Sequence, residues 1–112
     1  MVRMKYVLEP DKLIIRSNYK FIQIKIDDIL FIKALADYVI IKTTTERYVT
    51  LSTMKDMCDS LPKNKFIRTH RSYIVNMEKI HFIKGSSLVI RDNKIPIPIG
   101  RIYKKALKSM FY

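Results

Sequence analysis

Apolar and polar residues alternate along most of the chain with the period of a half-buried β-strand. In Tyr19–Ile26, the residues Ile22, Ile24 and Ile26 share one face while Gln23 and Lys25 share the other. A period of two marks a strand with one face against a core. Lys12–Arg16 reads the same way. Asp27-Asp28 interrupts the pattern, which resumes in Ile29–Ala34 and Tyr38–Thr43, joined by a short loop at Leu35-Ala36-Asp37. Arg47–Leu51 continues the meander. Phe66-Ile67-Arg68 then leads through the polar stretch Thr69-His70-Arg71-Ser72 into a strand at Tyr73–Asn76. Lys79–Lys84 and Ser87–Arg91 read as a hairpin about Gly85-Ser86, and Asp92-Asn93 turns the chain into Lys94–Pro98. Pro96 and Pro98 cannot donate to a ladder, which places this last strand at an edge or a strand end.

Two segments switch to a helical period. Met54, Met57, Cys58 and Leu61 stand at i, i+3, i+4 and i+7, one apolar face. Ser52 or Thr53 can cap this helix, with Asp56 three residues after Thr53 as in a capping box, and Pro62 stops it. A second helix starts near Gly100. At about 100° per residue, Ile102, Tyr103, Ala106, Leu107, Met110 and Phe111 gather on one side, expected to dock on the sheets. Arg101, Lys104, Lys105 and Lys108 gather on the other, expected to face solvent.

Composition sets the class. Of 112 residues, 48% are hydrophobic, enough for a compact core and too many for a disordered chain. That length suits one domain, residues 1–112. The single cysteine, Cys58, cannot build a disulfide framework and reads as a structural thiol. No apolar run reaches the roughly 18–20 residues that span a bilayer. Met1-Val2-Arg3-Met4-Lys5 lacks the apolar stretch of a signal peptide, so the cytoplasm, without a membrane partner, is the expected location.

Charge adds a partner. The net charge is +12, from 22 basic and 10 acidic residues. Residues 1–59 hold ten basic and eight acidic side chains, whereas residues 60–112 hold twelve basic and only two acidic, Glu78 and Asp92. A basic excess gathered in one half suits a phosphate backbone better than a solubility role.

Candidate chemistry is sparse outside that charge. His70-Arg71 lies between strand-like segments: Arg can read guanine or enter a minor groove, and His70 or Ser72 can bond phosphate. The other reading is a solvated turn. Gly100-Arg101 opens the basic helix, whose N-terminus suits phosphate and whose Lys104, Lys105 and Lys108 suit the backbone beside it. A merely solvated helix face is the alternative. Asp27-Asp28 reads as a turn or cap, since neighbours on a strand point to opposite faces. Two histidines and one cysteine without ligand spacing make no metal site. Gly85 and Gly100 are the only glycines, so no glycine-rich phosphate loop exists, and no nucleophile stands with a base. Neither enzyme activity nor a cofactor is expected.

Five blocks in order carry a resemblance to a known family: Ile26–Ala34, Asp37-Tyr38-Val39, Thr50–Met54, Phe66–Asn76 and Ile95–Lys104. Together they resemble the LytTR family of bacterial DNA-binding domains, over residues 21–108. The resemblance implies a mainly β fold, an elongated stack of small antiparallel sheets with two short helices. It implies binding to double-stranded DNA by loops rather than a recognition helix. Carried over by position, Asp37, Tyr38 and Arg101 would reach bases in successive major grooves. His70 and Arg71 would lie toward the minor groove between them, with Arg71 as a further base contact. Ser52, Thr53, His70, Ser72, Lys104, Lys105 and Lys108 would meet phosphates. Asp37 is acidic, and only cytosine N4 offers it a donor; Tyr38 or nearby Lys33 can take its role.

The family commonly forms the output half of a two-component response regulator, so a receiver domain is an expected partner if the chain is excised from a longer one. A stand-alone regulator is the other possibility. Repeated half-sites and a homodimer on DNA are expected. Two other classes stay open. One is an RNA or single-strand binder, which would display aromatics such as Tyr6, Tyr19, Tyr48 or Phe82 on a sheet face; all four read more simply as core. The other is a protein-interaction module with an incidental basic surface.

Overall fold

The computed structural model describes residues 11–91 and 93–111. Residues 1–10, with Tyr6, and Asp92, at which the sequence predicts a turn, lie outside the described residues. The molecule is elongated, 41 × 23 × 23 Å, and is built as three antiparallel sheets with two helices.

The first sheet is the hairpin β1 (Lys12–Ser17) and β2 (Lys20–Lys25). The central sheet holds β3 (Ile29–Leu35), β4 (Tyr38–Thr43), β5 (Arg47–Leu51), β6 (Phe66–His70) and β7 (Tyr73–Asn76), in the order β5-β4-β3-β7-β6. The third sheet holds β8 (Ile80–Lys84), β9 (Ser87–Ile90) and β10 (Asn93–Pro98). Its order, β10-β9-β8, puts the proline-bearing strand at an edge as expected. Helix α1 (Met54–Ser60) follows β5, and helix α2 (Arg101–Ser109) follows β10.

Alternation along the central strands feeds two cores. Ile32, Val39, Ile41 and Ile74 face Leu13, Ile15 and Ile24 of the hairpin and Met54, Met57 and Leu61 of α1. Val75 faces Leu88, Ile90 and Ile97 of the third sheet and Leu107 of α2. The ladder between β3 and β4 shifts register between Ile29 and Phe31. That irregularity lets Ile29 join the first core while both Leu30 and Phe31 join the second. Asn76, fully buried, ties the two sides together. Its Nδ2 donates to the Ile29 carbonyl at 2.9 Å and its Oδ1 accepts from the Glu78 N–H at 3.0 Å.

The turn expected at Asp27-Asp28 is present as the 3-10 turn Ile26–Asp28, where Asp27 pairs with Lys65 at 3.0 Å and raises the Lys65 pKa. Several other expectations need correction. Tyr19 is not in a strand or in the core but 92% exposed in the hairpin turn, and Phe82 is 48% exposed. Only Tyr48, half-buried, packs on a core. Of the six apolar residues expected to dock α2, only Leu107 is buried, while Ile102 is 81% exposed and Met110 and Phe111 are about half exposed. The docking arc is narrower than the apolar arc because the helix touches the sheets along one line, through Tyr103 and Leu107. Cys58 is half-buried against the first core. Burial raises its pKa, against the opposing pull of Arg68 and Lys63, which favours the thiol over the thiolate.

Candidate nucleic-acid interface

Antiparallel pairing decides which turns end up together. β3 and β4 meet in the two-residue turn Ala36-Asp37, with Leu35 opposite Tyr38. Ala36 sits at φ +52°, a conformation with a steric cost for a residue with a β-carbon. β7 runs against β3 with Tyr73 opposite Lys33. The turn that precedes β7, Arg71-Ser72, therefore comes to the same end of the sheet as Ala36-Asp37. A hydrogen bond from the Ala34 N–H to the Ser72 carbonyl, 2.9 Å, joins the two.

The second turn is tighter than its polar sequence suggests. Thr69 and His70 belong to β6, so only Arg71 and Ser72 form the turn. Thr69 is fully buried. The Arg68 guanidinium grips the turn from within the fold, with Nε donating to the His70 carbonyl at 3.3 Å and Nη2 donating to the Arg71 carbonyl. The Ser72 N–H donates to His70 Nδ1 at 3.1 Å. A neutral His70 therefore carries its hydrogen on Nε2, as a donor for an outside acceptor. Arg71 itself is exposed.

His70 also connects the sheet to α2. The Gly100 N–H donates to the Thr69 carbonyl at 2.7 Å, drawing the start of the helix onto β6. A β-carbon at Gly100 would stand 3.1 Å from Tyr103 Cδ2 and 3.6 Å from His70 Cδ2, so a side chain here would crowd the Tyr103 ring. On the outer side of the same row, the Tyr73 ring lies edge-on to His70, with centroids 6.0 Å apart. The Lys33 ammonium stands 5.8 Å from the Tyr73 ring centroid. Lys33, Tyr73, His70 and Gly100 thus form a continuous row from the first turn to the helix that carries Arg101.

The expected residues are not all alike. Asp37, Tyr38, Arg71, Arg101, Lys105 and Lys108 are exposed. Lys104 is half-buried, its Nζ 3.4 Å from Ser86 Oγ. Thr53 Oγ1 is engaged as the cap of α1, accepting from the Asp56 N–H at 3.0 Å. Ser52 is only 8% exposed, and its hydroxyl donates to the Thr53 carbonyl at 3.4 Å. Both line a cavity of about 510 Å³ beside the first turn, together with Asp37, Tyr38, Leu51 and Asp56. Sequence reasoning missed Arg68, whose spacing to Arg71 gives no hint that one holds the other's carbonyl. It noted Lys33 only as a substitute for Asp37.

Thr69 Oγ1 is a buried side-chain atom without a hydrogen-bond partner. A buried unsatisfied hydroxyl is destabilising, so Thr69→Val, which keeps the shape, should stabilise the domain by about 1 kcal/mol and raise Tm by a few degrees in a thermal melt. An unchanged or lower Tm would mean that the hydroxyl is satisfied in solution.

Comparison with known proteins adds an independent line. A family model described as the LytTr DNA-binding domain matches residues 19–112. The sensory transduction protein LytT of Bacillus anthracis is 30% identical over 107 residues, covering 91% of this chain and 43% of that protein. The transcriptional regulatory protein YpdB of Escherichia coli K12 is 27% identical over 109 residues, covering 93% of this chain and 45% of that protein. The chain thus spans less than half the length of these relatives. In fold, it is similar to the LytTr DNA-binding domain of a putative methyl-accepting/DNA response regulator from Bacillus cereus, with a TM-score of 0.77 and 19% identity, covering 90% of this chain and 96% of that one.

Proposed function

The chain belongs to the LytTr DNA-binding domain family, and from that premise we propose that it is a sequence-specific duplex-DNA binder that regulates transcription. The observation that carries this reading is the convergence of the Ala36-Asp37 turn, the Arg71-Ser72 turn and the N-terminus of α2 along one end of the central sheet. Tyr38, Arg71 and Arg101 are the base readers, with Asp37 limited to a cytosine N4 contact. His70 Nε2, Ser72, Lys105 and Lys108 take phosphates, as does Lys104 once it leaves Ser86. Thr53 can reach a phosphate only by sharing its hydroxyl with the cap. Ser52, 8% exposed with its hydroxyl on the Thr53 carbonyl, is the least accessible of the phosphate candidates.

Within a longer protein the module serves as the output half of a two-component response regulator, alongside a receiver domain, in the cytoplasm. It binds repeated half-sites, as a homodimer on the DNA. It needs no cofactor and performs no catalysis. Residues 1–112 act as one domain. A single-strand or RNA platform would need its exposed aromatics on one sheet face. Tyr19 stands instead in the turn of the first hairpin and Phe82 on a strand of the third sheet, which favours the duplex.

Selection of bound duplexes from a random pool tests the proposal. A recurrent motif is the expected result; retention of sequences without one would sink it. A salt titration on the selected duplex should give a log–log slope of about −0.9 per phosphate neutralised. Lys105→Ala should weaken binding equally on selected and random duplexes, and a flat salt response would remove the electrostatic part of the reading.

A further inference from the structure

We propose that the tip of the β1–β2 hairpin is a further phosphate contact, which grips the duplex beyond the half-site on the side of the first turn. The inference rests on the duplex-DNA reading above and extends it to a hairpin whose first strand lies outside the family match, which begins at residue 19.

The tip has three features that packing does not explain. First, its two central residues, Asn18 and Tyr19, both lie in the left-handed region, at φ 54° and 65°. A two-residue turn of this kind favours Asn followed by Gly. Asn18 fits, but a tyrosine in the second place is strained, and its ring is 92% exposed, touching no core. Strain kept at an exposed position points to a use outside the fold. Second, two cations, Arg16 and Lys20, stand beside the turn, and residues 12–26 contain no carboxylate to balance them; Lys12 and Lys25 pair at the far end of the hairpin. The modest net charge of the first half hides this, because its acids stand elsewhere. Third, Arg16 is pre-positioned: its guanidinium carbon lies 5.9 Å from the centroid of the Phe21 ring, which is itself 66% exposed.

The tip is also rigidly placed. Ser17 Oγ donates to the Val49 carbonyl at 2.6 Å, and Thr50 Oγ1 donates to the Arg16 carbonyl at 2.5 Å. Thr50 pairs with Val39, two residues from Asp37. The hairpin thus ends over β5, beside the strand that leaves the first turn. It packs on one face of the central sheet, while α2 shares the core on the other. The two basic elements therefore flank the paired turns from opposite sides. The 41 Å length of the molecule matches about 12 base pairs at roughly 3.4 Å each.

Duplexes carrying one selected core with progressively longer flanks provide the test. Wild type should gain affinity when the flank on the first-turn side is lengthened. The double variant Arg16→Ala/Lys20→Ala should match wild type on the shortest duplex, show no such gain, and have a salt slope on the longest duplex shallower by about 1.8, for two phosphates. Tyr19→Gly relieves the left-handed residue. It should keep or raise Tm while losing affinity on long duplexes, a pairing that a purely structural role would not produce. Identical length profiles for wild type and the double variant would overturn the proposal. Failure of wild type to bind any duplex would overturn it together with the function it rests on, and the wild-type measurements alone tell the two failures apart.

Discussion

Leu107→Ala is expected to destabilise the domain by about 2–5 kcal/mol, the range for removing a fully buried leucine side chain. Leu107 is the one residue of α2 that is completely enclosed among those described, packed with Val75, Leu88, Ile90 and Ile97. Domains of this kind have roughly 5–15 kcal/mol of total stability, so the loss is a large fraction. The effect should go beyond stability. Besides Leu107 and the half-buried Tyr103, the start of α2 is held to the sheets by the Gly100–Thr69 and Ile99–Ser86 backbone hydrogen bonds and by Lys104 on Ser86. A loosened helix would carry Arg101 away from the other contacts, so DNA affinity should fall even at temperatures where the variant is folded. Ile102→Ala on the same helix is the control: at 81% exposure it should stay within about 0.5 kcal/mol of wild type. Chemical denaturation measures both, and a Leu107→Ala midpoint equal to that of Ile102→Ala would show that α2 is not docked in solution.

The second large effect concerns discrimination. Arg101 is exposed at the first turn of α2, directly after a glycine seated against His70 and Tyr103. Its guanidinium is a planar fork suited to the O6/N7 edge of guanine, whereas lysine offers only a point charge. Arg101→Lys should therefore keep binding to random duplex and lose about 1–3 kcal/mol of preference for the selected one, roughly five- to 150-fold in the affinity ratio. The ratio of the two affinities at one salt concentration decides the matter. An unchanged ratio would make Arg101 a phosphate contact and move base reading to Tyr38 or Arg71.

Strands that pack on one side only, such as Lys20–Lys25, are legible from a period of two, whereas β3 and β7, which feed both cores, are legible as apolar runs bounded by turns. Arg47–Leu51 and Tyr73–Asn76 are legible to the residue. The edge position of β10 comes from its prolines. The features that cannot be read belong to relations between elements. Nothing in Thr69-His70 says that β6 continues through it, because that depends on Tyr73 pairing opposite His70. Nothing in α2 says which strip of its apolar half meets the sheet; Tyr103 and Leu107 are chosen by where Gly100 is tethered. The Asn18-Tyr19 turn lacks the glycine that usually marks a tight hairpin, so the strand pattern runs on through Tyr19. In the candidate interface, the exposed cations and the two turns are visible from sequence. The row of Lys33, Tyr73 and His70, and the grip of Arg68, emerge only once β3 and β7 lie side by side.

The hydrogen bond between Ala34 and Ser72 has a consequence for how binding sites can diverge. It locks both turns to adjacent strands of one ladder. Their separation is then set by strand spacing, about 10 Å for two steps of roughly 4.8 Å, and it cannot stretch. The helix bearing Arg101 belongs to another layer and is placed by side-chain packing and single hydrogen bonds rather than by strand pairing. If these elements read DNA, the protein is a ruler with one fixed interval and one adjustable one. Inserting a base pair rotates every base beyond it by about 35°, given roughly 10–10.5 pairs per turn. Across natural sites, such insertions should be absent between the positions read by the two turns and tolerated between the second turn and Arg101, so that drift in regulatory sequences accumulates on that side.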